Sequence, residues 1–234
     1  MLNYTPLILT IILAYIPSFA WLTFVLSQDV HSEKATDIAK TFILGNFIAV
    51  PVILFAVWGQ EILDIFMLDL PNMLKTFIFA AFIEEVLKGV FIYWFAISTS
   101  RWDEPIDTFI YASTLALGFA GIENFAYVIS SSGYDFSSIQ QLLILRALSS
   151  VIIHIISSFL VTYGLVFYVI YKQKLNGIML VIGGIIFHGL WNIAIDLSNT
   201  TSSLIVLAFY LLICIPLFVG MIFTVKHLRL ISVK

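Results

Sequence analysis

The sequence predicts an all-α, polytopic membrane protein with about seven transmembrane helices, and three observations carry that expectation. Hydrophobic residues make up 61% of the 234 and charged residues only 11%, with a mean hydropathy of +1.07; a soluble domain carries about 25% charged residues. Apolar runs long enough to cross a hydrocarbon core of ~30 Å, which takes about 20 residues, recur along the whole chain. The polar and charged residues within apolar runs gather in four consecutive central runs, which marks spans three to six as a polar four-helix core.

Taken in order, residues 5–27 form the first span. No basic residue precedes it and no short apolar region leads to a small-residue cleavage site, so a retained helix is expected. Residues 28–40 read as a polar loop of alternating charge. The second span, 41–60, contains Pro51, which is expected to kink it. Residues 61–72, with three acids and Pro71, read as an interfacial connection. The third span is 73–97 and the fourth 106–130, followed by a turn of Ser, Gly, Tyr and Asp. The fifth apolar run, 139–171, exceeds the length of one span and is expected to be tilted, broken or projecting. The sixth is 176–197 and the seventh 204–225. No soluble domain or internal repeat is visible, so residues 1–234 read as one integral membrane domain, with a core at 73–197 and peripheral helices at 5–60 and 204–225. The single cysteine, Cys214, excludes an internal disulfide framework and a cysteine metal cluster, and is expected to pack as an apolar residue.

Loop charges set the expected orientation. Lys34, Lys40, Arg101, Lys172, Lys174, Lys226, Arg229 and Lys234 fall on one side and Lys75 alone on the other. The positive-inside rule then places the N-terminus outside and the C-terminus in the cytoplasm of a multi-pass protein of the cell membrane. The lipid bilayer is a partner by construction, and no nucleic-acid partner is expected.

The third span holds Glu84, Glu85 and Lys88 within five residues. Each charge at a bilayer centre costs roughly 2.5–3.5 kcal/mol on insertion scales, so three together need partners or a task. Glu84 and Lys88 share a helix face, whereas Glu85 points about 100° away, so one lysine does not satisfy both acids equally. A helix-packing ion pair is the plain alternative. The fourth span carries Glu123 and Asn124 after a small-residue stretch at 118–121 that suits close helix approach. In the fifth, Arg146 and His154 stand eight apart, roughly on one side of a helix; in the sixth, His188 and Asn192 share a face. Singly, each has a packing explanation, as an interhelical hydrogen bond or a neutralising arginine. On a count of ~1.5 Å per residue, Glu84, Glu123, His154, His188 and Asn192 all fall at mid-membrane or in the external half.

The sequence lacks a His-Glu-x-x-His zinc helix and a Gly-x-Ser-Gly turn, and Ser149, Ser150, Ser157 and Ser158 have no nucleophile context. Tyr134-Asp135 falls in a loop, outside any membrane aspartyl pair. Paired carboxylates, two histidines and an amide suit a water nucleophile, with a Glu taking the proton and His and Asn stabilising the oxyanion. This set resembles the PrsW-type intramembrane proteases: Glu84-Glu85-x-x-Lys88, Asp107 leading to Gly118-Phe119-Ala120-x-x-Glu123-Asn124, Arg146 with His154, and His188-x-x-Trp191-Asn192. Through that family it resembles the wider clan of CAAX-processing and bacteriocin-immunity membrane proteases, although Lys88 follows more closely than that clan's usual Arg. The resemblance implies an endopeptidase acting on membrane-anchored protein substrates, such as an anti-sigma factor receiving its first cut. It implies Glu84 as general base, Glu85 as its partner or proton shuttle, His154 as orienter of the water, and His188 and Asn192 as the oxyanion site. Lys88, Glu123, Asn124 and Arg146 support them. No cofactor is favoured, but Glu84, His154 and His188 are also candidate zinc ligands with an open position, so a zinc-dependent version of the same protease stays an alternative. Rival classes are a proton-coupled transporter, for which no inverted halves are visible, a haem protein using the two histidines, a receptor and a non-catalytic scaffold.

Overall fold

The helix at residues 107–130 is rich in small side chains, and those side chains decide how closely its neighbours approach. In the computed structural model, which describes residues 5–65, 77, 81–99, 101–130, 135–200 and 202–232, all regular structure is helical. In chain order the helices are α1 (Thr5–Leu26), α2 (Ala35–Ile65), α3 (Ile83–Ile92, continued by a π-helical turn at Tyr93–Ile97), α4 (Asp107–Ser130), α5 (Phe136–Leu148), α6 (Ser150–Val169), α7 (Lys174–Thr200), α8 (Leu204–Phe209) and α9 (Ile215–Ser232), the last two joined by a π-helical turn at Tyr210–Cys214. Six stretches are long and apolar enough to span a bilayer: Ile8–Leu26, Ala35–Leu54, Asp107–Ser130, Phe136–Val169, Lys174–Ser198 and Leu204–Ser232. The chain is therefore an all-helical polytopic membrane protein with six spans of full length among the described residues. Of the expected third span, residues 81–97 are helical. Apart from Phe77, the preceding part at 73–80 lies outside the described residues, as do 66–72 of the expected interfacial connection, Lys75, Tyr134 and Lys234.

Helix α4 is the central element: every residue from Asp107 to Gly121 is buried. Helices α1 and α2 pack on one flank and α6 on another, and α6 in turn makes the most extensive contact of the bundle with α7. Glycines set the α2–α4 spacing. A Cβ at Gly118 would lie 2.0 Å from the Phe42 carbonyl oxygen, and one at Gly45 would lie 2.1 Å from that of Leu115. Backbones in such contact gain dispersion energy over their whole crossing, which is how helices associate where lipid is as apolar as they are.

Two boundaries differ from the sequence expectation, and a third feature bears out one of its alternatives. The loop read at 28–40 ends earlier, because α2 begins at Ala35: Asp37 complements the helix dipole in the first turn and the Thr41 hydroxyl returns a bond to the Asp37 carbonyl. Helix α2 also continues through Pro51 to Ile65. The overlong fifth run is broken, with Ser149 at φ −132°, ψ −87° between α5 and α6. Arg146 and His154 are therefore on two helices, not on one face of one helix; the non-helical Ser149 backbone defeats the periodicity argument.

The loops after α1 and before α4 meet at one end of the bundle. His31 pairs with Glu104, Arg101 Nε lies 3.3 Å from Asp37, and the Tyr111 hydroxyl donates to Glu33 at 2.6 Å. The Ile106 amide donates to Ser232 near the C-terminus at 3.2 Å. Burial raises the Glu33 carboxyl above its ordinary range, with Asp103, Asp29 and Asp37 adding to the rise and the Tyr111 bond opposing it.

Inserting a side chain between two backbones in contact forces them apart, and overpacking costs about 1–3 kcal/mol even where side chains can yield. Gly118→Val should thus sharply lower the thermal stability of the detergent-purified protein. Gly183→Val, at a site with nothing within 4 Å, should leave it within about a degree, as measured by the loss of monodisperse protein on heating. Equal tolerance at both positions would contradict the close α2–α4 crossing.

Candidate catalytic and metal site

Four helices deliver the polar residues to one point. On α3, the one-turn spacing brings Lys88 back over both acids: its Nζ donates to Glu85 Oε1 at 2.9 Å and to Glu84 Oε2 at 3.4 Å. The ammonium also lies 4.0 Å above the Phe119 ring of α4, a cation–π contact that strengthens when desolvated. All three side chains are essentially removed from solvent.

Glu85 is the most heavily bonded. Oε1 accepts from Lys88, from the Ser157 hydroxyl at 3.0 Å and from His188 Nδ1 at 2.9 Å, and Oε2 accepts from the Ser158 hydroxyl at 3.1 Å. A carboxylate only accepts, so His188 carries its proton on Nδ1 and turns the Nε2 lone pair away from Glu85. That Nε2 lies 3.8 Å from Glu84 Oε2. The second histidine mirrors this. His154 Nε2 lies 2.8 Å from Glu123 Oε2, which fixes the proton on Nε2, and its Nδ1 is 3.1 Å from Lys88 Nζ and 3.9 Å from Glu84 Oε2. The two rings meet edge to face with centroids 4.9 Å apart.

Glu123 is itself held. Arg146, at the end of α5, donates to Glu123 Oε2 at 2.6 Å and to Asn124 Oδ1 at 2.5 Å, and stacks 4.0 Å over Tyr127. Asn124 spends its own amide on the Ala14 carbonyl of α1, at 3.2 Å. A cavity of about 310 Å³ opens beside this group, and Glu123, Arg146, His154, His188 and Asn192 all line it.

Every candidate residue thus lies in or around one cluster, with distinct placements. Glu84, Glu85, His154 and His188 each offer a ligand atom, all within 4.8 Å of one another. Lys88 is inside the cluster, Glu123 and Arg146 lie behind His154, Asn124 ties the group to α1, and Asn192 is on the cavity wall. Asp107 is apart: it receives the Asp103 and Glu104 amides at the start of α4, sixteen residues or ~24 Å of helix from Glu123. Ser157 and Ser158 were dismissed as nucleophiles in the sequence, and they bind Glu85 instead. Their signal was their position three and four residues after His154, one turn along the same face.

Two carboxylates and two imidazoles buried among membrane-spanning helices, with a cavity at their edge, define an intramembrane hydrolase of the metal-capable kind. The comparisons with known proteins give the family. The model of the PrsW family intramembrane metalloproteases matches residues 33–221, and the chain belongs to that family. A Protease PrsW of Clostridioides difficile (strain 630) is 26% identical over 212 residues, 86% of this chain and 85% of that one. One of Oceanobacillus iheyensis is 29% identical over 182 residues, 75% and 78% of the two chains. One of Geobacillus kaustophilus (strain HTA426) is 26% identical over 108 residues, and there the chain spans only about half the relative's length, 46%. No solved structure gives a significant match.

Removing one partner of a buried ion pair costs about 3–5 kcal/mol, and somewhat less here because Glu123 keeps 20% of its side-chain exposure. Arg146→Met should therefore destabilise the protein by about 2–4 kcal/mol, whereas Arg146→Met combined with Glu123→Gln should recover part of that loss. A double-mutant cycle read by denaturant unfolding in mild detergent checks this; additive losses would mean that the pair does not act as a unit.

Proposed function

We propose that this protein is an endopeptidase that hydrolyses peptide bonds of membrane-anchored protein substrates, with Glu84, His154 and His188 as the ligands of a zinc ion. The observation that carries the reading is the pairing of each histidine. One ring nitrogen is fixed by a carboxylate, Glu85 for His188 and Glu123 for His154, while the other faces Glu84. Carboxylate–histidine pairs of this kind orient metal-binding imidazoles and raise their basicity.

The donor set fits. Ligands of a tetrahedral zinc lie about 3.3 Å apart, from bond lengths of ~2.0–2.1 Å; Glu84 Oε2 stands 3.8 and 3.9 Å from the two unprotonated nitrogens, of which that of His154 also accepts from Lys88 at 3.1 Å, so a contraction of about half an ångström brings them into range. Charge agrees as well. Three carboxylates, Glu84, Glu85 and Glu123, face two bases, Lys88 and Arg146, which leaves a formal −1 with neutral imidazoles. Lys88 shares the space between Glu84 and His154, and its long stem lets it withdraw towards Glu85. A zinc ion there supplies Lewis-acid polarisation and a water of lowered pKa.

The chain's own groups do the rest. Glu85 holds the His188 tautomer, and Ser157, Ser158 and Lys88 hold Glu85. Glu123, fixed by Arg146, does the same for His154. In this reading Asn192, which lines the cavity with His188, donates to the oxygen of a scissile carbonyl. In the second reading, the metal-free one, Glu84 takes the proton of the attacking water directly; the same residues serve it, and only metal dependence separates the two.

The loop charges support an external N-terminus and a cytoplasmic C-terminus, and the meeting of the α1–α2 loop, the segment before α4 and Ser232 at one end agrees with that count. On that topology the cavity lies in the external half. A transmembrane helix keeps its carbonyls in its own hydrogen bonds, so the cut falls where a substrate span frays, at its external juxtamembrane end. An anti-sigma factor, by family resemblance, is a substrate of the right form.

Incubation of the protein in liposomes with a library of single-span peptides of varied juxtamembrane sequence, followed by mass spectrometry of the fragments, tests the reading. Cuts at the external end are expected. Glu84→Gln, His154→Ala and His188→Ala should each lower turnover by about 10²-fold or more, and a chelator should stop cleavage until zinc is restored. Full activity in metal-free protein would transfer the base role to Glu84, and cuts on the cytoplasmic side would overturn the orientation.

A further inference from the structure

A second hollow borders the catalytic cluster. Besides the polar cavity, an apolar groove of about 450 Å³ runs between α3, α6 and α7, and its lining begins at Glu85. Along α3 it continues through Val86, Gly89, Val90 and Tyr93, one helical face about 12 Å long. Leu165 and Tyr168 of α6 form the facing wall. Val86, Val90, Tyr93 and Tyr168 are exposed, so in a membrane-spanning bundle this face meets acyl chains. Glu85 brings no free charge to it, since its oxygens are engaged by Lys88, Ser157, Ser158 and His188.

The two hollows are joined through one hydrogen bond. His188 lines the polar cavity, Glu85 lines the groove, and they are 2.9 Å apart. The cavity offers hydrogen-bonding groups that suit an extended backbone. The groove offers almost none, and so suits a segment whose backbone is already satisfied within itself. On the proposed topology α3 descends from the external side, so the groove lies in the cytoplasmic half, directly below the cavity.

We propose that this groove is the docking site for the helical part of the substrate's transmembrane segment, while the frayed stretch next to it enters the polar cavity. The inference rests on the protease reading above and adds how the substrate is held. The argument for this occupant is continuity: a substrate anchored in the membrane has to leave the cleavage site into the bilayer, and the groove starts at a residue of the cluster itself. Its volume accepts two or three side chains from one face of a helix, not a whole helix, so the docked segment lies along the lipid boundary and stays free to leave. Val90 and Tyr168 then select for helices with small or flat residues on the docking face.

The test uses the full-length protein in liposomes with two probes, a single-span peptide chosen by cleavage and a water-soluble peptide of about ten residues carrying the same cleaved sequence. Val90→Trp and Tyr168→Trp, which fill the groove from opposite walls, should raise KM for the single-span peptide at least tenfold and leave cleavage of the short peptide within twofold. Phe223→Trp, at an exposed position of α9, should change neither. A photo-reactive benzoylphenylalanine at Val90 should cross-link the transmembrane part of the single-span peptide. Unchanged cleavage of the single-span peptide by both tryptophan variants, equal loss with both probes, or cross-links to lipid alone would each overturn the groove assignment. Absence of any cleaved peptide when the unmodified protein meets the single-span library would instead overturn the protease reading on which it rests.

Discussion

The structure depends on one carboxylate. Glu85 lies at the dry centre of the bundle, where an unpaired charge would cost several kcal/mol, and it is kept there by donors from three helices: Lys88 on α3, Ser157 and Ser158 on α6, and His188 on α7. Each donor is in turn constrained. Lys88 rests on Phe119, the serines stand one turn below His154, and His188 can present only its second nitrogen to the centre. A satisfied buried network of this kind holds a site in one arrangement, because each partner lost leaves another unsatisfied.

Helix α4 carries the second half of that arrangement. Glycine contacts at Gly118 and Gly45 bring α2 against it, and Gly121 accepts the Tyr15 ring of α1, where a Cβ would lie 2.4 Å from Cε1. With the helix axis fixed in this way, Glu123 and Asn124 project to where Arg146 and His154 arrive from either side of the break at Ser149. The break is what lets one stretch of chain supply both a wall of the cavity and a residue of the cluster. A straight helix through Ser149 would have carried Arg146 some 12 Å from His154 along the axis, out of reach of a shared carboxylate oxygen.

Much of this was legible in the sequence, for a physical reason: ionisable residues in apolar runs are too costly to be incidental. Glu84, Glu85, Lys88, Glu123, Arg146, His154 and His188 announce themselves by their surroundings, and their order along the chain carries the family resemblance. Three features were not legible. Ser157 and Ser158 look like ordinary residues of a membrane helix, since a hydroxyl can bond its own backbone, and only the fold shows that they face Glu85. Periodicity placed Arg146 and His154 on one helix face, but a non-helical residue between them carries no strong marker when it is a serine. Composition likewise gave the apolar runs without the π-helical turns at Tyr93–Ile97 and Tyr210–Cys214.

The central claim is that two carboxylates pin the histidines so that His188 Nε2 and His154 Nδ1 both face Glu84. Nitrogen-15 NMR of histidine-labelled protein in lipid reads this directly, with His188→Gln and His154→Gln samples to assign the signals. The account predicts neutral rings with the proton on Nδ1 of His188 and on Nε2 of His154, and a shift on zinc addition confined to the two unprotonated nitrogens. Opposite tautomers, or zinc leaving both rings unmoved, would contradict it.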